Sequence, residues 1–161
     1  MSENTPSSVA DIRARRQALQ AEEDAISFVR RLAQGRLDLV RDEQRRRSQG
    51  TDTPTASLEE RLAEVFGQQH GGGSARPPRE TNVPADHHLV KELDQVCEHY
   101  SFEMMDTLDD KSLEELGGSL EMFEKTCSQM RHEMFDQIDA LTAELVKKVR
   151  ESGAGSVVKD S

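Results

Sequence analysis

Apolar residues return every seven positions from Ile12 through Leu19, Ile26 and Ala33 to Val40, and Val29 and Leu37 fill the spaces between. A heptad repeat of this kind predicts a long helix with a coiled-coil seam. Residues 9–47 contain no proline and follow Ser7 and Ser8, either of which can cap a helix start. A second apolar series runs through Leu113, Leu116, Leu120, Phe123, Cys127, Met130, Met134, Ile138, Leu141 and Leu145. It opens at Ser112, whose S-L-E-E reads as a capping box closed by Glu115, and it runs to about Glu151 before Gly153 and Gly155. Both arms far exceed the usual globular helix.

The chain between them reads differently. SQGTDTPT and GQQHGGGSARPPRETNVP are rich in Gly, Pro, Ser and Thr and are expected to be flexible. Between these stretches, Leu58, Leu62, Val65 and Phe66 share one face of a short helix near 57–66, with Ser57 and Glu60 as its capping box. A second short helix, near 86–100, is expected to bury Leu89, Leu93 and Val96. Neither is long enough to persist alone in water, so each must dock on the arms or on a partner. The expected organisation is a disordered N-terminus (1–8), a first helix (9–47), a connection (48–111), a second helix (112–151) and a disordered tail (152–161). The fold class is all-α, a long antiparallel helical hairpin with two short helices in a flexible connection.

Composition narrows the function. Of 161 residues, 31 are Asp or Glu and 21 Lys or Arg, a net charge of −10, and 34% are hydrophobic, too few for a large globular core. The acidity argues against nonspecific nucleic-acid binding and suits a partner with a basic surface. No stretch approaches the roughly 18 to 20 apolar residues that span a bilayer, and MSENTPSSVADIR has no apolar signal-like run, so no membrane is expected and the cytoplasm is. Cys97 and Cys127 lack C-x-x-C spacing and are expected to be reduced and buried. His87, His88, Cys97 and His99 fit no established metal spacing, and no metal is assigned. The methionines Met104, Met105, Met122, Met130 and Met134 read as adaptable core. Arg45, Arg46 and Arg47 read as a solvated helix end. Nothing resembles a nucleophile with its base, a P-loop or a paired catalytic acid, so an enzyme is the least favoured class and no cofactor is expected.

The arms repeat each other. At an offset of 101 residues, Glu23 falls on Glu124, Ser27 on Ser128, Arg30 on Arg131, Asp38 on Asp139 and Glu43 on Glu144. Any two amphipathic helices share apolar phase; the polar matches carry the signal. At about 100° per residue, Glu23, Ser27, Arg30, Gln34 and Asp38 fall within an arc of roughly 80° beside the seam, as do Glu124, Ser128, Arg131, Phe135 and Asp139. Antiparallel pairing with the motifs opposed would set Glu23 against Asp139, Asp38 against Glu124, Val9 against Gly153 and Arg45 against Gly117. A polar strip beside a seam can also be an ordinary flank of i, i+4 ion pairs.

The pattern E-x-x-x-S-x-x-R-x-x-x-Q-x-x-x-D of Glu23, Ser27, Arg30, Gln34 and Asp38 resembles the motif of the RsiG-type anti-sigma factors of actinobacteria. ISFVRRLAQGRLDLVRDE and SLEMFEKTCSQMRHEMFDQIDALTAELVKKV are similar to that family's two motif helices. The second copy departs at one position, where Phe135 stands for Gln. The resemblance implies a protein that binds the second messenger cyclic di-GMP and, when loaded, holds a sporulation sigma factor of the WhiG type inactive. It implies ligand contacts from Glu23, Ser27, Arg30, Gln34 and Asp38 and from Glu124, Ser128, Arg131 and Asp139, and no direct DNA binding.

The residue types suit that ligand. Guanine accepts at O6 and N7, which an Arg fork matches, and donates from N1 and N2, which a carboxylate accepts; so Arg30 with Asp38, and Arg131 with Asp139, can read its edges. Ser27, Gln34 and Ser128 can bond to base or phosphate without adding charge, and Glu23 and Glu124 can orient an Arg across the hairpin. Gly35 bares backbone where a ligand or helix comes close. Three classes stay open: a cyclic di-GMP-dependent anti-sigma factor, a sensor of the same ligand with another protein target, and a ligand-free coiled-coil adaptor.

Overall fold

The computed structural model describes residues 6–50, 83 and 86–157, with side chains as far as Gly153. The helix expected near 57–66 lies outside the described residues. The elements are α1 (Val9–Gln49), α2 (His88–His99), a 3-10 turn (Phe102–Thr107) and α3 (Asp110–Val157). Among the described residues there is no strand, and the fold is all-α. No helix among them is long and apolar enough to cross a membrane.

The helix ends follow from local chemistry. At the start of α1, Ser8 Oγ accepts from the Asp11 backbone N–H at 3.1 Å while the Asp11 carboxylate accepts from the Ser8 N–H at 3.0 Å, a reciprocal capping box. Those two bonds favour the ionised carboxylate and hold the Asp11 pKa below its ordinary value. Gly50, with φ +67°, takes the left-handed turn that ends α1. The cap of α3 is not Ser112. Asp109 accepts from the Ser112 N–H at 2.7 Å, so Ser112 sits in the first turn and the helix begins earlier than S-L-E-E suggested. A carboxylate at this site also meets the positive end of the helix.

The chain forms two compact units, Met1–Asp24 with Gln129–Ser161, and Ala25–Ser128, and the two long helices contribute to both. In the first unit, Ile12, Leu141 and Leu145 make a buried cluster with Val9 and Leu19 packed against it. The helices run antiparallel there: Lys148 Nζ donates to the Ser7 carbonyl, and Glu23 bonds Arg131. The expected pairing of Glu23 with Asp139 is therefore displaced by two turns of α3.

In the second unit α1 and α3 are also antiparallel, with Arg30 bonded to Glu124 and Arg47 to Asp110. The point opposite Gly117 is Val40 and not Arg45: a Cβ at Gly117 would lie 3.3 Å from Val40 Cγ1. Gly117 is an interior position of α3 that lets the helices approach, not a sign of a helix end. The reason for the shift is electrostatic as well as steric. The expected register set carboxylates against carboxylates, whereas the observed one gives each motif Glu an Arg.

A second face of α1 meets α2. Arg36 Nη1 donates to Asp94 at 3.3 Å and to Cys97 Sγ at 3.1 Å, and its guanidinium lies 5.9 Å from the centre of the Phe102 ring. Leu89, Leu93 and Cys97 are buried on α2, and Leu39 on α1 is fully buried although it lies off the heptad seam. The short helix thus docks on the arm, as its length required. Val96, expected in that buried set, is only half-buried. His87 caps α2, its Nδ1 accepting from the Leu89 N–H, and His88 stacks on it.

Arg46 and Arg47 are not a solvated end. Glu43 is 1% exposed and accepts from Arg46 Nε at 2.9 Å and Arg47 Nε at 3.1 Å. Arg47 reaches on to Asp110 and to the carbonyls of Met105 and Asp106, tying the 3-10 turn and the start of α3 to the end of α1. Burial raises the Glu43 pKa, but the bonds and charges of the two guanidiniums outweigh it and the net direction is down. Only Arg45, paired with Asp42, extends into solvent. The methionines divide too: Met105 is buried, whereas Met104 and Met122 are exposed.

Candidate functional site

The motif strip lies on the flank of the seam, and the structure places its residues in two sets, one in each unit. In the second unit the seam residues Ile26, Val29 and Ala33 are fully buried. They rotate Ser27, Arg30 and Gln34 to the half-buried margin one step round the helix. Glu124 Oε1 accepts there from Arg30 Nη1 at 3.1 Å and from Gln34 Nε2 at 3.2 Å. The side chains of Arg30 and Glu124 are 22% and 18% exposed, so this pair is partly shielded from water. Arg30 Nε is buried without a hydrogen-bond partner. Such an orphan donor is uncommon and costly, and it leaves the guanidinium incompletely used.

Gln34, Asp38 and Glu124 also line a cavity of about 310 Å³ together with Leu37, Arg41, Glu121 and Lys125. Asp38 is exposed towards solvent, and partial desolvation raises its pKa against the pull of Arg41. Ser128 is exposed on α3. Two residues of this cavity, Arg41 and Lys125, stand outside the motif and were not singled out from the sequence. Arg41 follows Asp38 by three positions and Lys125 follows Glu124 by one, a spacing that could have signalled them.

The set in the first unit comprises Glu23, Arg131, Phe135 and Asp139. Glu23, 9% exposed, accepts from Arg131 Nε at 2.9 Å. The Arg131 guanidinium lies 5.0 Å from the centre of the Phe135 ring, one turn along α3. Where the first arm has an amide, the second therefore has a cation–π contact, which holds the guanidinium without offering a hydrogen bond. Asp139 is exposed. Both motif Glu residues thus bind an Arg from the other arm.

Cys97 and Cys127 are free and buried. Burial pushes the Cys127 thiol up to about 11, helped by the Glu124 charge, so it carries little thiolate near neutrality. Burial raises Cys97 as well, against the nearby Arg36.

No curated protein matches the chain significantly. Residues 2–66, which hold the whole of α1 and its Glu-Ser-Arg-Gln-Asp strip, match the model of the RsiG-like family.

Proposed function

We propose that the chain is an anti-sigma factor that binds cyclic di-GMP through its motif residues and, when loaded, holds a WhiG-type RNA polymerase sigma factor in the cytoplasm. The RsiG-like match supports a regulator of the anti-sigma-factor type. The observation that carries the ligand reading is Arg30, a half-buried guanidinium whose Nε is buried without an acceptor and whose Nη1 bonds Glu124, which lines the cavity together with Gln34 and Asp38. A guanine edge offers the acceptors such a donor lacks, and Asp38 offers the acceptor that guanine N1–H and N2–H require. In the other unit Arg131 and Asp139 have the same chemistry, with Phe135 able to stack on a base.

The ion pairs bear on how a ligand acts. Arg30 and Arg131 each already have a carboxylate partner. The ligand acts by an exchange of acceptors that fixes the arms in the geometry the sigma factor recognises. Of the acidic residues on α3, Glu121 and Glu124 are tied to cations of this chain. Glu133, Asp136 and Asp139 are exposed on α3, as are Phe135, Val146 and Val149. Acidic and apolar groups together suit a protein partner with a basic face.

Isothermal titration tests the ligand assignment. Cyclic di-GMP is expected to bind and cyclic di-AMP, whose adenine lacks the N2 donor and O6 acceptor, to bind far more weakly. Equal affinity for both, or no binding of either, would return the motif strip to an ordinary flank of ion pairs.

A further inference from the structure

The cavity beside Gln34 and Asp38 contains a pair of cations that the five-residue motif does not include. Its charged lining is Asp38, Glu121 and Glu124 on one side of the balance and Arg41 and Lys125 on the other. A nucleotide brings a further negative charge into this space. Asp38 can meet the base edge, but no motif residue lining the cavity is cationic, and the Arg30 Nη1 is already given to Glu124.

Resting on the cyclic di-GMP reading above, we infer that Arg41 and Lys125 form the phosphate clamp of this site and that Glu121 is the internal anion the phosphate displaces. Glu121 bridges the two cations, with Oε2 3.8 Å from Arg41 Nη2 and Oε1 3.3 Å from Lys125 Nζ. Those side chains are 51%, 68% and 45% exposed for Arg41, Lys125 and Glu121, so water and salt screen both pairs and little is lost when they open. The Arg30–Glu124 pair is shorter and better shielded. The anion that the phosphate displaces is therefore Glu121, whereas the exchange at Arg30 is with the base edge. Arg41 presents a planar fork to two phosphate oxygens and Lys125 a mobile point charge, a combination suited to a phosphodiester. At about 310 Å³ the cavity sits at the small end of ligand sites, matching one nucleotide half of the messenger better than the whole.

The test is titration of the full chain with cyclic di-GMP at two salt concentrations, using wild type, R41Q/K125Q, E121Q and R45Q. The clamp predicts that R41Q/K125Q binds about tenfold to a hundredfold more weakly and loses much of the salt dependence seen in wild type. It predicts that E121Q binds more tightly, because the competing anion is gone; a merely structural role for Glu121 gives no tightening. R45Q, which removes an exposed cation outside the cavity, should bind like wild type. If wild type binds and R41Q/K125Q matches it, or E121Q weakens binding as the cation variants do, the clamp is wrong while the motif reading stands. If wild type does not bind the messenger, both are wrong.

Discussion

Replacing Arg30 with Ala separates a ligand contact from a structural ion pair. In the free protein its Nη1 bonds Glu124 at 3.1 Å with both side chains about one-fifth exposed, a geometry that contributes on the order of 1 kcal/mol. Against this stands the unsatisfied Nε, whose burial costs about 1 to 3 kcal/mol and disappears on truncation. Glu124 keeps the Gln34 bond, and Ala is the better helix former. The stability terms nearly cancel, so the melting temperature followed by circular dichroism should move by only a few degrees. Binding is different. A bidentate guanine contact carries about 1 to 3 kcal/mol, roughly 5- to 150-fold in affinity, and recovering the guanidinium from Glu124 takes back part of it. The expected result in calorimetry is a loss of about tenfold or more in cyclic di-GMP affinity with little change in melting. Asp38→Ala should also lose affinity, whereas Arg13→Ala, outside the motif, should not. An equal loss from Arg13→Ala would mean the binding is general electrostatics, and a large drop in melting temperature with unchanged affinity would make Arg30 a structural residue.

Three further predictions concern the frame and the second set. Glu43→Gln removes the charge that Arg46 and Arg47 share; because the arginines are about one-quarter exposed, the cost should be about 2 kcal/mol and not the full penalty of a dry pair. The folded carboxyl is depressed below its ordinary 4.5. Its stabilisation is therefore present above that value and lost as pH falls through the lower folded one, so the wild-type advantage over Glu43→Gln in thermal melts should shrink on acidification and vanish at the acid end. Gly117→Ala should be near neutral, since a Cβ 3.3 Å from Val40 Cγ1 is tight but offset by helix propensity, whereas Gly117→Leu should cost about 1 to 3 kcal/mol in chemical denaturation. Arg131→Ala should weaken ligand binding less than Arg30→Ala, because Phe135 supplies no hydrogen bonds in the Gln34 role; equal losses would contradict the asymmetry.

The heptad seam was legible because Ile26, Val29, Ala33 and Val40 are buried by the partner helix, and burial writes itself into spacing. The motif strip was legible because it is repeated in phase. What escaped the sequence was pairwise. The register depended on which Glu met which Arg and on Val40 fitting over Gly117, neither of which any one-dimensional pattern encodes. Glu43 was one of the repeated polar positions, but nothing in the spacing marked it as the buried partner of Arg46 and of Arg47, which ties in the 3-10 turn. Leu39 is buried off the heptad seam, and Arg36 finds its partners only where α2 docks. Asp109 displaced Ser112 as cap because both are good capping residues and the choice is made by the turn that precedes them.

The central claim is that ligand and sigma factor bind the same state of this chain. Thermodynamic linkage requires each to tighten the other by one common factor, typically about 5- to 150-fold for coupled sites. The direct measurement is the affinity of the chain for a WhiG-type sigma factor with saturating cyclic di-GMP and without it. The account predicts a marked gain with ligand that is lost in Arg30→Ala. An affinity unchanged by ligand would contradict the switch, even if both partners bind.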